Sequence, residues 1–250
     1  MTRAGEDRIH NSTRPQAYRC DIITVSSSGK SGSLDFRNLA SLTGADPKSS
    51  ANLDRRRATP FSMRDPSPGS IILLNGASSA GKSTLARALQ AQMEEPFLCF
   101  SLDLFLFDGK VLPKRRDHDG PYSWPVMRPL LFEGYFRCLA ALAGAGNNLI
   151  VDYIIETHDQ MNRLASLTAP FDVFYVGVDC PLPELERRER ERGDRRIGDA
   201  RRDHANFQTF GPYDAKVDAT LPADANASSL ARLWKERQPP GVFRAKARRA

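Results

Sequence analysis

IILLNGASSAGKSTLARALQAQM, running from Ile71 to Met93, decides how the rest of the chain is read. Ile71 to Leu74 is an uninterrupted apolar run closed by Asn75, the signature of a short strand buried on both faces. A turn of small residues follows. Leu85, Leu89 and Met93 then recur at four-residue spacing, as on a helix with one apolar face. Strand, turn and helix in that order open an α/β fold.

The turn itself is Gly76-Ala77-Ser78-Ser79-Ala80-Gly81-Lys82-Ser83-Thr84, which satisfies GxxxxGK[ST]. Glycines let the backbone turn so that successive N–H groups converge on phosphate oxygens. The helix beginning near Lys82 adds the positive end of its dipole. In this pattern Lys82, facing solvent and phosphate, bridges the β- and γ-phosphates of a nucleoside triphosphate, and the Ser83 hydroxyl ligates Mg²⁺. The alternative is an ordinary glycine-rich turn, and the placement between strand and helix argues against it.

Working outward, Phe97 to Asp103 reads as a second buried strand and Pro129 to Ala143 as an amphipathic helix. Asn148 to Ile155 is a third strand, Asp159 to Leu167 a short helix, Phe171 to Val178 a fourth strand and Pro181 to Arg192 a charged helix. Apolar strands alternating with helices predict a parallel sheet covered on both faces. Such sheets bind ligands at the C-terminal ends of their strands, where Asp103 and Asp152 are expected. Asp103 can take a proton from an attacking hydroxyl, and Asp152, closing LIVD, can hold Mg²⁺ directly or through water; either could instead be a cap. Most arginines between 187 and 202 belong to a solvated helix with pairs such as Glu184 with Arg188 and Glu186 with Arg190. Arg192 and Arg195 are the exception: in RGDRRIG, two glycines interrupt the helix and leave arginines on a loop able to close as a lid over phosphates.

The ordered set IILLNGASSAGKSTLARALQ, EPFLCFSLDLF, LIVDYII, VFYVGVDCPLPELERRERERGDRRIG and YDAKVDAT resembles the chloramphenicol phosphotransferase-like family of P-loop kinases. The resemblance runs from Ser70 to Trp234. It implies a three-layer α/β fold with a central parallel sheet and a short Arg-rich lid. It also implies transfer of the γ-phosphate of ATP to a hydroxyl of chloramphenicol. By it, Asp103 is the acceptor-activating base, Gly76 to Thr84 bind ATP, and Arg192 and Arg195 are lid arginines. FLFDGKVLPKRRDHDGPYSWPVMRP departs from the family where such kinases wall the acceptor site, so the acceptor stays open. Another small metabolite such as a nucleotide sugar or nucleoside, or a non-catalytic nucleotide-binding regulator, is the alternative. Phe105, Phe107, Tyr122 and Trp124 are candidates for pocket or core, and His158 for a second-site polar group or plain surface.

The flanks differ in kind. Residues 1–68 carry 11 basic and 7 acidic residues, lack periodicity and are expected to be disordered, with Ile22 to Val25 a local strand candidate and Met63 a second candidate start of translation. Residues 69–234, the expected kinase domain, carry 19 basic and 22 acidic residues. Residues 235–250 form a basic tail with 6 basic and 1 acidic residue, expected to be a solvated charge run. The overall charge of +6 therefore comes from the ends, which weakens a nucleic-acid reading. With neither a secretory apolar segment nor a spanning run, the expectation is a cytoplasmic protein that does not enter membranes. Cys20, Cys99, Cys138 and Cys180 show no CxxC spacing, so neither a zinc site nor a disulfide framework is expected, and the last three read as buried thiols.

Overall fold

The computed structural model describes residues 67–108, 111–115, 117–192 and 197–247. The disorder expected before Ser67, the strand candidate at 22–25, Met63, Cys20 and Arg195 lie outside them, as does the side chain of Phe107. Five parallel strands form one sheet in the order β2-β3-β1-β4-β5. These are β1 (Ile71–Gly76), β2 (Phe97–Ser101), β3 (Asn148–Tyr153), β4 (Val173–Asp179) and β5 (Ala215–Asp218). The helices are α1 (Lys82–Gln92), α2 (Trp124–Gly144), α3 (His158–Thr168), α4 (Leu182–Arg192), α5 (Asp199–Phe207), α6 (Ala223–Glu236) and α7 (Phe243–Ala247).

Because side chains alternate across a strand, β1 feeds two cores. Ile72 and Leu74 join Ile150, Val176 and Val178 beneath Leu85 and Leu89 of α1 and Leu230 and Trp234 of α6. Ile71 and Leu73 join Leu149, Val151 and Tyr175 beneath Leu139 of α2, Leu164 of α3 and Phe243 of α7. Helices therefore cover both sheet faces, and the chain reverses direction across the sheet at β1, leaving a crevice at its C-terminal end.

Several boundaries moved, each for a local reason. β2 stops at Ser101, the last residue registered with β3, and Asp103 falls in the helical turn beyond it, its N–H donating to Ser101 Oγ at 3.2 Å. β3 stops at Tyr153 because the Ile155 N–H turns to the Asn75 side chain, 3.0 Å away. β4 starts at Val173, since the Phe171 N–H closes a turn on the Thr168 carbonyl. α2 begins at Trp124, five residues before the proline expected to open it: Pro125 occupies its first turn and Pro129 is carried inside.

The basic tail is not wholly solvated. Arg237 pairs with Asp172 at 2.7 Å and its guanidinium lies over the Trp234 ring. Phe243 is 1% exposed, and Lys246 donates to the carbonyls of Phe210 and Gly211. One aromatic among charges helps to seat α7, its ring tilted against that of Tyr175 with centroids 4.9 Å apart. Of the cysteines read as buried, Cys180 is, whereas Cys99 and Cys138 are half-buried; all three are free thiols. Among the described residues no helix is long and apolar enough to cross a membrane.

Candidate active site

The turn between β1 and α1 is built by backbone demands that few residues meet. A Cβ at Gly76 would stand 2.6 Å from the Val178 carbonyl oxygen. Gly81, at φ 86°, caps α1 in the left-handed region, and Ser79 shares that region at φ 64°. Two neighbours hold the turn from outside. Arg188 of α4 reaches the Ala80 carbonyl at 3.5 Å and the Ala219 carbonyl at 2.9 Å. Asp203 of α5 accepts the Ser78 N–H at 3.2 Å. The Ser79 hydroxyl is buried with no hydrogen-bond partner among the described residues.

Lys82, read from the sequence as facing solvent and phosphate, is 6% exposed. Its ammonium donates to the carbonyls of Gly76 at 3.1 Å and Ala77 at 2.8 Å. The loop folds its own carbonyls around the first turn of α1, and a charge that deep must be hydrogen-bonded. Ser83 donates its hydroxyl to Asp152, which the register of β3 places beside Leu74 of β1 and Ser101 of β2. Hydroxyl and carboxylate are oxygen donors of the kind Mg²⁺ takes, so the pair fits that ion.

A cavity of about 1090 Å³ opens over these strand ends. It brings together Lys82, Ser83, Asp103, Asp152 and Arg192 from the residues singled out in the sequence. Trp124 also lines it. Phe105 instead packs edge-on against Phe100 and Tyr135. Tyr122 lies beneath the Arg115 guanidinium, and His158 lies tilted against the Phe210 ring at the exposed start of α3.

Other lining residues had no motif to announce them. Leu106 and Phe132 join Trp124, already singled out, in an apolar wall, beside which Arg128 lies over the Phe132 ring and pairs with Glu156. Asp199, Arg202, Asp203 and Asn206 of α5 also line the cavity. On the far side of that helix Arg201 pairs with Glu186, displacing the expected partner Arg190, whereas Glu184 binds Arg188 as expected.

Two Mycobacterium tuberculosis proteins, each provisionally named an O-phosphotransferase, are 32% identical to this chain over 174 residues, covering 61% of it and 76% of theirs. In fold it is similar to the APS kinase CysC of M. tuberculosis, with TM-score 0.51 and 18% identity across 68% of this chain and 99% of that one. It is also similar to a tunicamycin resistance protein of Deinococcus radiodurans, with TM-score 0.51 and 20% identity across 66% and 95%. The family described as chloramphenicol phosphotransferase-like protein matches residues 69–235. Through that stretch, which spans all five strands and the cavity, the chain belongs to the chloramphenicol phosphotransferase-like family.

Proposed function

We propose that this chain transfers the γ-phosphate of ATP to a hydroxyl of a small molecule, with a chloramphenicol-like compound the leading acceptor. One observation carries the reading: Asp103 and the phosphate loop line the same cavity. The loop and α1 bind the triphosphate, with Lys82 drawing on the γ-phosphate. Ser83 and Asp152 would hold Mg²⁺, which supplies neutralising charge at the phosphate oxygens when bound. The acceptor enters against Leu106, Trp124 and Phe132, while Arg128 and Glu156 offer a donor and an acceptor for its polar groups. Its hydroxyl oxygen attacks the γ-phosphorus as the Asp103 carboxylate takes the proton, help worth roughly 100- to 10,000-fold. The bond to the β–γ bridging oxygen breaks and ADP leaves. Arg192 and Arg195 close over the phosphates and stabilise charge as the phosphoryl group moves.

A screen of small hydroxyl compounds, scored as ADP release above the ATPase background, tests this reading. Acceptor-stimulated release is expected with a neutral, partly apolar alcohol. Firm ATP binding with no stimulation by any hydroxyl compound would turn the reading toward a nucleotide-binding regulator.

A further inference from the structure

α5 carries a carboxylate on its buried stripe. Ala200, Asp203 and Phe207 face inward at helical spacing, and the Asp203 side chain is 2% exposed. A carboxylate so placed costs stability unless both oxygens are engaged. Both oxygens are engaged here. Oδ2 accepts the Ser78 N–H of the phosphate loop at 3.2 Å. Oδ1 accepts from the Arg202 guanidinium at 3.0 and 3.3 Å. Burial pushes the Asp203 carboxyl above its usual range, while Arg202, the Ser78 N–H and Lys82 pull it down.

The same helix is fastened a second time at its start. Glu189 of α4, 2% exposed, accepts the N–H groups of Gly198 at 2.8 Å and Ala200 at 2.9 Å. α5 is thus fixed to α4 at one end and to the phosphate loop in its middle. Arg202, held between Asp199 and Asp203, keeps its guanidinium at the cavity wall that Arg192 also lines.

We propose that Asp203 is a positioning residue: its bond to the Ser78 N–H tethers α5 to the phosphate loop and so holds Arg202 where the transferring phosphoryl group passes. The proposal rests on the phosphotransfer reading above. An arginine at that wall contributes most where charge develops, so loosening it falls on kcat more than on ATP affinity. A displacement of about 1 Å can cost roughly 100-fold in rate.

The test compares wild type, Asp203→Ala, Asp203→Asn and Arg202→Ala by ATP Kd, by kcat for ADP release (to water or to an acceptor) and by thermal unfolding. Asp203→Ala is expected to lose about 10-fold or more in kcat with ATP Kd within roughly threefold. Asp203→Asn can still accept the Ser78 N–H and is expected to recover kcat to within about threefold of wild type. Arg202→Ala removes a half-exposed side chain but leaves Asp203 Oδ1 without that donor, so its thermal unfolding is read beside the kcat loss it is expected to share. A silent Asp203→Ala, an Asn variant as impaired as Ala, or a silent Arg202→Ala each overturns the tether. If Asp203→Ala does not fold, the Asn and Arg202 variants decide. Wild-type protein that neither binds ATP nor releases ADP overturns the phosphotransfer reading and the tether with it, whereas active wild type with silent variants overturns the tether alone.

Discussion

Phe243→Ala asks whether the C-terminal segment is part of the fold. Phe243 is 1% exposed and packs on the Tyr175 ring at 4.9 Å, beside the Val242 N–H that donates to Asp214 Oδ1 at 2.7 Å. Truncating a buried phenylalanine costs about 3–5 kcal/mol, and the low end applies because α7 is a five-residue terminal helix able to settle toward the gap. About 3 kcal/mol lowers Tm by roughly 6–12 °C in a folded unit of this size. Arg244, exposed on the same helix, is the control, and its alanine variant should stay within about 0.5 kcal/mol of wild type. Circular dichroism melts of the three proteins settle the point. A Tm loss below about 2 °C for Phe243→Ala would mean that α7 contributes nothing and that the segment past Glu236 is the solvated run its composition suggests.

Lys82→Ala is expected to abolish transfer and, because two loop carbonyls lose their donor, to cost about 1–3 kcal/mol as well; wild-type turnover would remove the phosphate-loop assignment. Arg192→Lys and Arg195→Lys keep charge but lose the planar fork, so kcat should fall by about an order of magnitude, while Arg201→Lys, paired with Glu186 away from the cavity, should be silent. Equal small effects in kcat assays of all three would mean the lid lies elsewhere. A chain starting at Met63 should keep both its melt and its ATP affinity, since residues 1–62 hold too little apolar sequence to offset ordering costs of about 1–2 kcal/mol per residue; loss of either contradicts that.

The sequence disclosed those parts of the site that local chemistry determines. The run from Ile71 to Thr84 fixes its strand, its turn and the start of α1 through apolar content and glycine geometry alone, so Lys82, Ser83 and their loop could be read directly. β5 was not legible as a strand: it is a four-residue edge whose single buried side chain is Val217, too little for a period to emerge. Asp203 was hidden because nothing in the linear pattern tells a carboxylate on a polar helix from one on its buried stripe; only the placement of Ala200 and Phe207 separates them. Arg128 and Glu156, 28 residues apart, meet through the packing of α2 against the end of β3, which no spacing rule encodes. Lys82 was recognised by motif yet misjudged in exposure, since the motif specifies a partner for the ammonium and says nothing of the carbonyls that fold over it.

The central claim is that the carboxylate of Asp103 and the phosphate loop serve one reaction. Wild type and Asp103→Asn, each given γ-labelled ATP and the best hydroxyl acceptor from the screen, should show equal ATP affinity. Labelled phosphate ester should form on the acceptor with wild type and about 100-fold or more slowly with the variant. Equal rates of ester formation by the two proteins, or label released only as inorganic phosphate by both, would contradict the account.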